Sequence, residues 1–227
     1  MHHERSHILI YFFTDDHYQA SPGKHIYNKL PIELKEKIVF QEDQWDLLES
    51  GDWEKDCELL ILHMISDTCN QPIPGKGAEN AVRKYCERGG NMLLLHASSA
   101  AFWHWQWWRN IVGLRWVRPN DPDGIIPSSH PKIPSVIEVS KVRHPLVSKL
   151  KKIVLPKDEV FVDLEQMNPI TVLMETSIYG ETYPQAYECE TPWKGKILSF
   201  IPGHIPQSTE NPDLIWDVSE MIRYLLA

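Results

Sequence analysis

Short, continuously apolar runs alternate along this chain with longer stretches in which apolar residues recur at helical spacing. That alternation predicts a parallel sheet covered by helices on both faces, because a parallel strand is buried on both sides and has no polar face to show. His7 to Phe13 (HILIYFF) reads as the first strand and Leu59 to Met64 (LLILHM) as the second clear one, with Ile38 to Phe40 ambiguous between them. From Gly77 to Arg88, the residues Ala78, Ala81, Val82, Tyr85 and Cys86 fall at helical spacing, and Gly89-Gly90 stops that helix. A strand from Asn91 to Leu95 follows at once.

The second half has a different texture. Arg118 to Pro134 (RPNDPDGIIPSSHPKIP) is rich in proline, aspartate and serine and predicts an irregular excursion over the surface. Strand-like pieces then come close together: Val136 to Val139, Val160 to Val162, Thr171 to Met174, Gln185 to Glu188 and Lys196 to Ile201. Turn residues between them predict an antiparallel extension of the parallel sheet. Asp213 to Leu226 closes the chain as an amphipathic helix with Leu214, Ile215, Val218, Ile222 and Leu225 on its apolar side. There is no internal repeat, and 227 residues suit one domain over 1–227.

Charge and cysteine usage narrow the function classes. Lysine plus arginine number 23 against 31 acids, a net charge of −8, and no basic run could track a phosphate backbone, which argues against nucleic acid. The apolar runs are too short to cross a bilayer, so no membrane role is expected. Cys57, Cys69, Cys86 and Cys189 form no CxxC pair, and no signal peptide precedes them. A reducing, cytoplasmic setting is expected, rather than a disulfide framework or a cysteine zinc site.

Ligands of an open parallel sheet sit beyond the carboxyl ends of its strands. Thr14, Asp15, Asp16 and His17 follow the first strand; His63 ends the next, ahead of Ser66 and Asp67; His96 follows the third with Ser98 and Ser99; Gly203 and His204 follow a late one. If those strands are parallel, the histidines share a rim and become candidates for metal ligation or proton transfer. The plainer alternative is that each bonds a loop carbonyl, and no pair has HExxH spacing. The turn at His96 is also the setting of a nucleophile elbow, but imidazole stands where a nucleophile would. Ser98 or Ser99 as a nucleophile has no GxSxG frame.

Four tryptophans follow within six residues, at 103, 105, 107 and 108. On a helix, Trp103 and Trp107 share one side and Trp105 and Trp108 another. One pair would pack on the sheet and the other in a subunit interface, which suggests a homodimer; alternatively Trp103 or Trp107 forms an aromatic wall for a sugar ring beside His96.

Several segments carry a resemblance in order and spacing: GGNMLLLHASSA, the Val142 to Leu146 segment (VRHPL), Asp158-Glu159 ahead of Val160-Phe161, the Tyr183 to Tyr187 segment (YPQAY), and GKILSFIPGH. Together they are similar to the ThuA-like family. The resemblance implies a class I glutamine amidotransferase-like fold, a flavodoxin-like three-layer α/β sandwich, and a link to trehalose or related disaccharide utilisation. His96 matches the family's histidine at the elbow, where amidotransferases carry cysteine, so glutamine hydrolysis by a cysteine is excluded. His144 matches its His-Pro, Glu159 its acidic pair and His204 its terminal Gly-His. Tyr187 stands where tryptophan is common, and the HWQWW stretch is an addition.

The expectation is a sugar-acting enzyme, a hydrolase, lyase or isomerase. His96, His204 and Glu159 would be catalytic; His17, Trp103, Ser98 and His144 would bind substrate; and a zinc or manganese ion on His96, His204 and His17 would assist. With no GxGxxG fingerprint, no nucleotide cofactor is expected. The alternative is a carbohydrate-binding or assembly module that keeps an amidotransferase-like fold without a nucleophile.

Overall fold

The computed structural model describes residues 9–16, 19–66 and 73–227. In chain order its elements are β1 (Leu9–Thr14), α1 (Pro22–Lys29), α2 (Ile32–Lys35), β2 (Ile38–Glu42), α3 (Asp46–Ser50), β3 (Cys57–His63), α4 (Lys76–Glu87), β4 (Asn91–Leu95), α5 (Gln106–Arg109), β5 (Leu114–Arg115), β6 (Lys132–Val139), β7 (Ile153–Glu159), β8 (Glu165–Gln166), β9 (Thr171–Ile178), β10 (Glu181–Glu190), β11 (Lys196–Phe200), α6 (Pro206–Thr209) and α7 (Pro212–Leu225). Nine strands make one sheet in the order β2-β1-β3-β4-β11-β10-β9-β6-β7. Pairings from β2 to β11 are parallel. Those from β11 to β7 are antiparallel, the extension that the closely spaced strands predict.

The apolar runs follow from burial on both faces. Ile10 and Phe12 of β1, Leu59 and Ile61 of β3, and Leu93 and Leu95 of β4 join one cluster with Ile26 of α1 and Leu214, Val218 and Ile222 of α7. The alternate residues Tyr11, Phe13, Leu60, Leu62, Met92 and Leu94 join a second cluster with Ala78, Val82 and Tyr85 of α4. With both faces covered, the middle of each of these strands is apolar, and polar residues such as Thr14, Glu58, His63 and Asn91 fall at or next to the strand ends. Glu49 caps α4 by accepting the N–H groups of Gly75 and Ala78. Asn211 caps α7 by accepting those of Asp213 and Leu214, with Pro212 in the first turn. Among the described residues, no helix is long and apolar enough to cross a membrane.

Among the polar residues buried in this packing is an acid on α7. Asp217 of α7 is fully buried; its Oδ1 accepts the Lys151 N–H at 2.9 Å while its Oδ2 has no hydrogen-bond partner. Burial pushes its carboxyl up to about 7, and the charges of Asp213 and Glu220 add to the rise against the opposing Lys151. A carboxyl that holds its proton more tightly folded than unfolded loses stability as pH rises from its unfolded value toward its folded one. Asp217→Asn should therefore match wild type near pH 4 and exceed it increasingly up to about pH 7, a gap that thermal melts across this range would measure. A constant gap at every pH would contradict the assignment.

Two local expectations are corrected. Val160 to Val162 is not a strand: β7 ends at Glu159, and only Val162 keeps a bridge, to Ser129. The tryptophans do not lie on one helix, because α5 covers only Gln106–Arg109 and Trp105 precedes it in extended conformation. Trp105 and Trp108 are buried with Phe102 in the second core cluster. Trp107 donates to Glu79 at 3.1 Å and meets Trp193 edge to face.

The antiparallel extension also curls. β7 is four places from β11 in the sheet, about 19 Å on a flat surface. Register shifts in β10 between Pro184 and Tyr187, and in β6 between Ile133 and Ser135, mark where such strands bend and twist. The end of β7 returns over the end of β11, where the Gly203 N–H donates to Asp158 at 2.8 Å.

Candidate functional site

Because β1, β3, β4 and β11 run parallel, their carboxyl ends form one rim. Three of the rim histidines meet there: the His96 ring lies 5.9 Å from that of His63 and 4.8 Å from that of His204. His17 lies outside the described residues. β4 ends because His96 takes φ +54°, the left-handed region that a side chain enters only at a cost. Its N–H still donates to Phe200 at 2.7 Å, so the turn is anchored to β11 while the imidazole projects beyond the sheet.

The sequence candidates His96, His204 and Glu159 come together. His96 Nε2 is 3.1 Å from His204 Nδ1 and 3.4 Å from Glu159 Oε2, and His204 Nε2 is 3.6 Å from Glu159 Oε1. The tautomer of His96 follows from its other nitrogen. Nδ1 sits 2.9 Å from the Ile201 carbonyl, which can only accept, so Nδ1 carries the proton and neutral His96 turns the lone pair of Nε2 inward. Burial opposes ionisation of Glu159, but protonated His96, by its hydrogen bond and its charge, and protonated His204 and His130, by their charges, outweigh it and hold the carboxyl down at about 2. A carboxylate oxygen and imidazole nitrogens thus converge on one point. Asp158 fixes the approach by accepting the N–H groups of Glu159 at 2.9 Å, Gly203 at 2.8 Å and His204 at 3.3 Å.

A cleft of about 510 Å³, counted to its mouth, opens over His96 and Glu159. Its walls are Trp116, Phe161 and Ile65, with His130 and Arg118 as further polar groups. His130 Nδ1 and Lys132 Nζ both lie 3.2 Å from Glu159 Oε1, Lys132 as its direct cross-strand partner. These residues fall inside or beside the run that its prolines and aspartates mark as a surface excursion. The available signal was a histidine within a long irregular loop, the kind of segment that carries function on a rigid scaffold. The excursion is tied down by Arg115, which is buried and bonds Asp121 at 2.7 Å, Asp123 at 3.2 Å and Glu165 at 2.6 Å.

The other candidates lie elsewhere. Ser98 is fully buried; its Oγ accepts the Met64 N–H at 3.0 Å and lies within reach of the Leu62 and Leu95 carbonyls, which ties β3 to β4. Trp103 lies under the Arg118 guanidinium at 4.5 Å and lines a neighbouring depression, while Trp116 takes the wall beside His96. His144 contacts Tyr224 at 3.3 Å and Glu188 at 3.5 Å. Tyr224 is in the last turn of α7, whose end meets the start of β4 through Asn91 and Leu225, so His144 lies toward the opposite end of the strands from His96. Cys57, Cys86 and Cys189 are buried, and burial pushes their thiols up, Cys57 and Cys189 to about 12.

Solved structures share this architecture. A ThuA-like protein of Parabacteroides merdae superposes with a TM-score of 0.74 at 16% identity, over 97% of this chain and 90% of that one. A ThuA-like protein of Bacteroides uniformis gives 0.70 at 15% identity, over 99% and 94%. A β-galactosidase of Bacillus circulans gives 0.53 at 11% identity over 94% of this chain but 30% of that one. At such identities the likeness is one of fold. No curated protein matches the sequence significantly. The family model described as trehalose utilisation matches residues 15–224, from the aspartate that closes the first strand to the last turn of α7, and by that match the chain belongs to the ThuA family.

Proposed function

We propose that the chain is a carbohydrate-acting enzyme, a hydrolase, lyase or isomerase on a disaccharide or keto-sugar, with its centre at His96, His204 and Glu159. The observation that supports it is the convergence of an imidazole lone pair and a carboxylate that line a cleft with a second imidazole, His204, packed against both. Such a set of donors suits a cation. Two histidines and one carboxylate suit zinc or manganese, and the separations of 3.1 and 3.4 Å are those of donors sharing one ion. His96, His204 and Glu159 would hold the ion, which would polarise a sugar carbonyl or hydroxyl. Around it, the Ile201 carbonyl fixes the His96 ring, Asp158 fixes the backbone of His204, and His130 and Lys132 hold Glu159. Trp116 and Phe161 offer apolar faces to a ring and limit water.

A second reading needs no metal. The low carboxyl of Glu159 is the signature of a carboxylate facing imidazolium, so His96 Nε2 could take a substrate proton with Glu159 stabilising the charge formed. We read the parallel half of the sheet as a flavodoxin-like sandwich, and the buried free thiols as fitting the cytoplasm.

Metal analysis of protein prepared without chelator tests the leading reading. Close to one equivalent, lost in His96→Ala, is expected; none would leave proton transfer by His96. A sugar recovered unchanged after long incubation, bound by wild type and without metal, would instead make this a binding module.

A further inference from the structure

A second hollow adjoins the cleft. Arg118 lines both, so the two share a wall. The hollow measures about 680 Å³, counted to its mouth, and its apolar faces are the rings of Pro119, Pro122 and Trp103. Trp103 Nε1 is itself buried, so the indole offers ring carbon rather than a donor. The charges of the lining acid and of Arg109 are matched within the protein: Arg109 by Asp121 at 2.9 Å and Asp123 at 3.1 Å, and Asp121 also by Arg115 at 2.7 Å. Asn120, which is exposed, adds an amide. The lining is held in shape, because the Asp121 N–H donates to the Arg118 carbonyl at 3.0 Å and the Asp123 N–H to Asp121 Oδ1 at 3.1 Å. Set between two prolines of fixed φ, that turn has little freedom left to lose on binding.

We propose that this hollow takes the aglycone of a glycoside, a flat aromatic ring, while the sugar to which it is joined lies in the cleft at His96. The inference rests on the carbohydrate reading above for the ring at His96, and it sets an aryl group where a disaccharide would carry its second sugar. A second sugar would bring several hydroxyls to walls that answer few of them, and each hydroxyl stripped of water without a partner costs affinity. An aromatic ring makes no such demand and gains by covering proline and indole faces.

The test is calorimetric titration of wild type, Trp103→Ala and the double variant Pro119→Ser with Pro122→Ser. The probes are phenyl and methyl D-glucopyranoside, each as both anomers, with cellobiose, maltose and phenol. Both prolines are exposed, so the double variant keeps the fold even if loss of the indole does not. For one anomer, the phenyl glucoside is expected to bind wild type about tenfold tighter than the methyl glucoside, and tighter than either disaccharide. The double variant, and Trp103→Ala where folded, should bring phenyl and methyl glucosides level. Phenyl and methyl glucosides binding wild type alike, a disaccharide binding tightest, or a phenyl excess untouched in the double variant overturns the aglycone site while the carbohydrate reading stands. Phenol binding as tightly as phenyl glucoside, or no probe bound by folded wild type, overturns both.

Discussion

In Glu159→Gln, turnover of a carbohydrate substrate is expected to fall by roughly 10²–10⁴-fold, the range seen when a group engaged in proton transfer is removed. The amide keeps the shape of the side chain and removes the charge on which four nitrogen-bearing side chains converge. If the triad holds a divalent ion, the same variant should lose it, because two imidazoles alone supply neither the third donor nor the charge. If the triad works by proton transfer, the loss should fall on the step in which His96 is protonated, since the carboxylate opposite Nε2 is gone. Steady-state kinetics alongside metal content separates these. Activity within threefold of wild type would remove Glu159 from the chemistry. The histidine rim would then have to act without its acid.

Arg115→Ala is the second large effect, and it concerns stability. Arg115 is 4% exposed and reaches three acids at once, one of them, Asp121, with a side chain only 8% exposed and shared with Arg109 at 2.9 Å. Removing the arginine leaves Glu165 without its cation and Asp121 and Asp123 with Arg109 alone; breaking a buried pair costs about 3 kcal/mol, and the remaining Arg109 with the partial exposure of Asp123 and Glu165 holds the loss to about that figure. For a chain of this length that is a drop of roughly 5–10 °C in the unfolding midpoint. Because the same network anchors the excursion that bears Trp116, Arg118 and His130, ligand affinity should fall with it. Unchanged melting would mean the network is dispensable. Replacing Arg115 and Asp121 together by apolar residues should cost less than Arg115→Ala, as no buried charge is left alone.

The parts of this molecule that were legible in its sequence are those governed by local burial. Strands covered on both faces must be apolar throughout, so β3 and β4 announce themselves, and Gly89 and Gly90 mark where α4 ends. His96 and His204 were legible as a rim pair because parallel strands place every carboxyl end on one side. What no window of sequence carries is the curl of the extension, and that curl is what brings Glu159 to His96 from five places away in the sheet. The tryptophan stretch misleads for a related reason: indole contacts with Glu79, Trp193 and Arg118 override helical periodicity. His130 was obscured by its company, since the prolines and aspartates that signal a loop say nothing of where the loop returns.

The placement of β11 has a kinetic meaning. It sits between β4 and β10, yet it is the last strand made, more than a hundred residues after the neighbour it pairs with in parallel. A nascent chain therefore carries β4 as an open edge while about a hundred further residues are made, a slow, long-range pairing of the kind that exposes sheets to misassembly. When β11 does enter, it closes the sheet and in the same movement delivers Ile201 to orient His96 and His204 to stand beside it. A chain that has not finished folding has no site with which to bind or react.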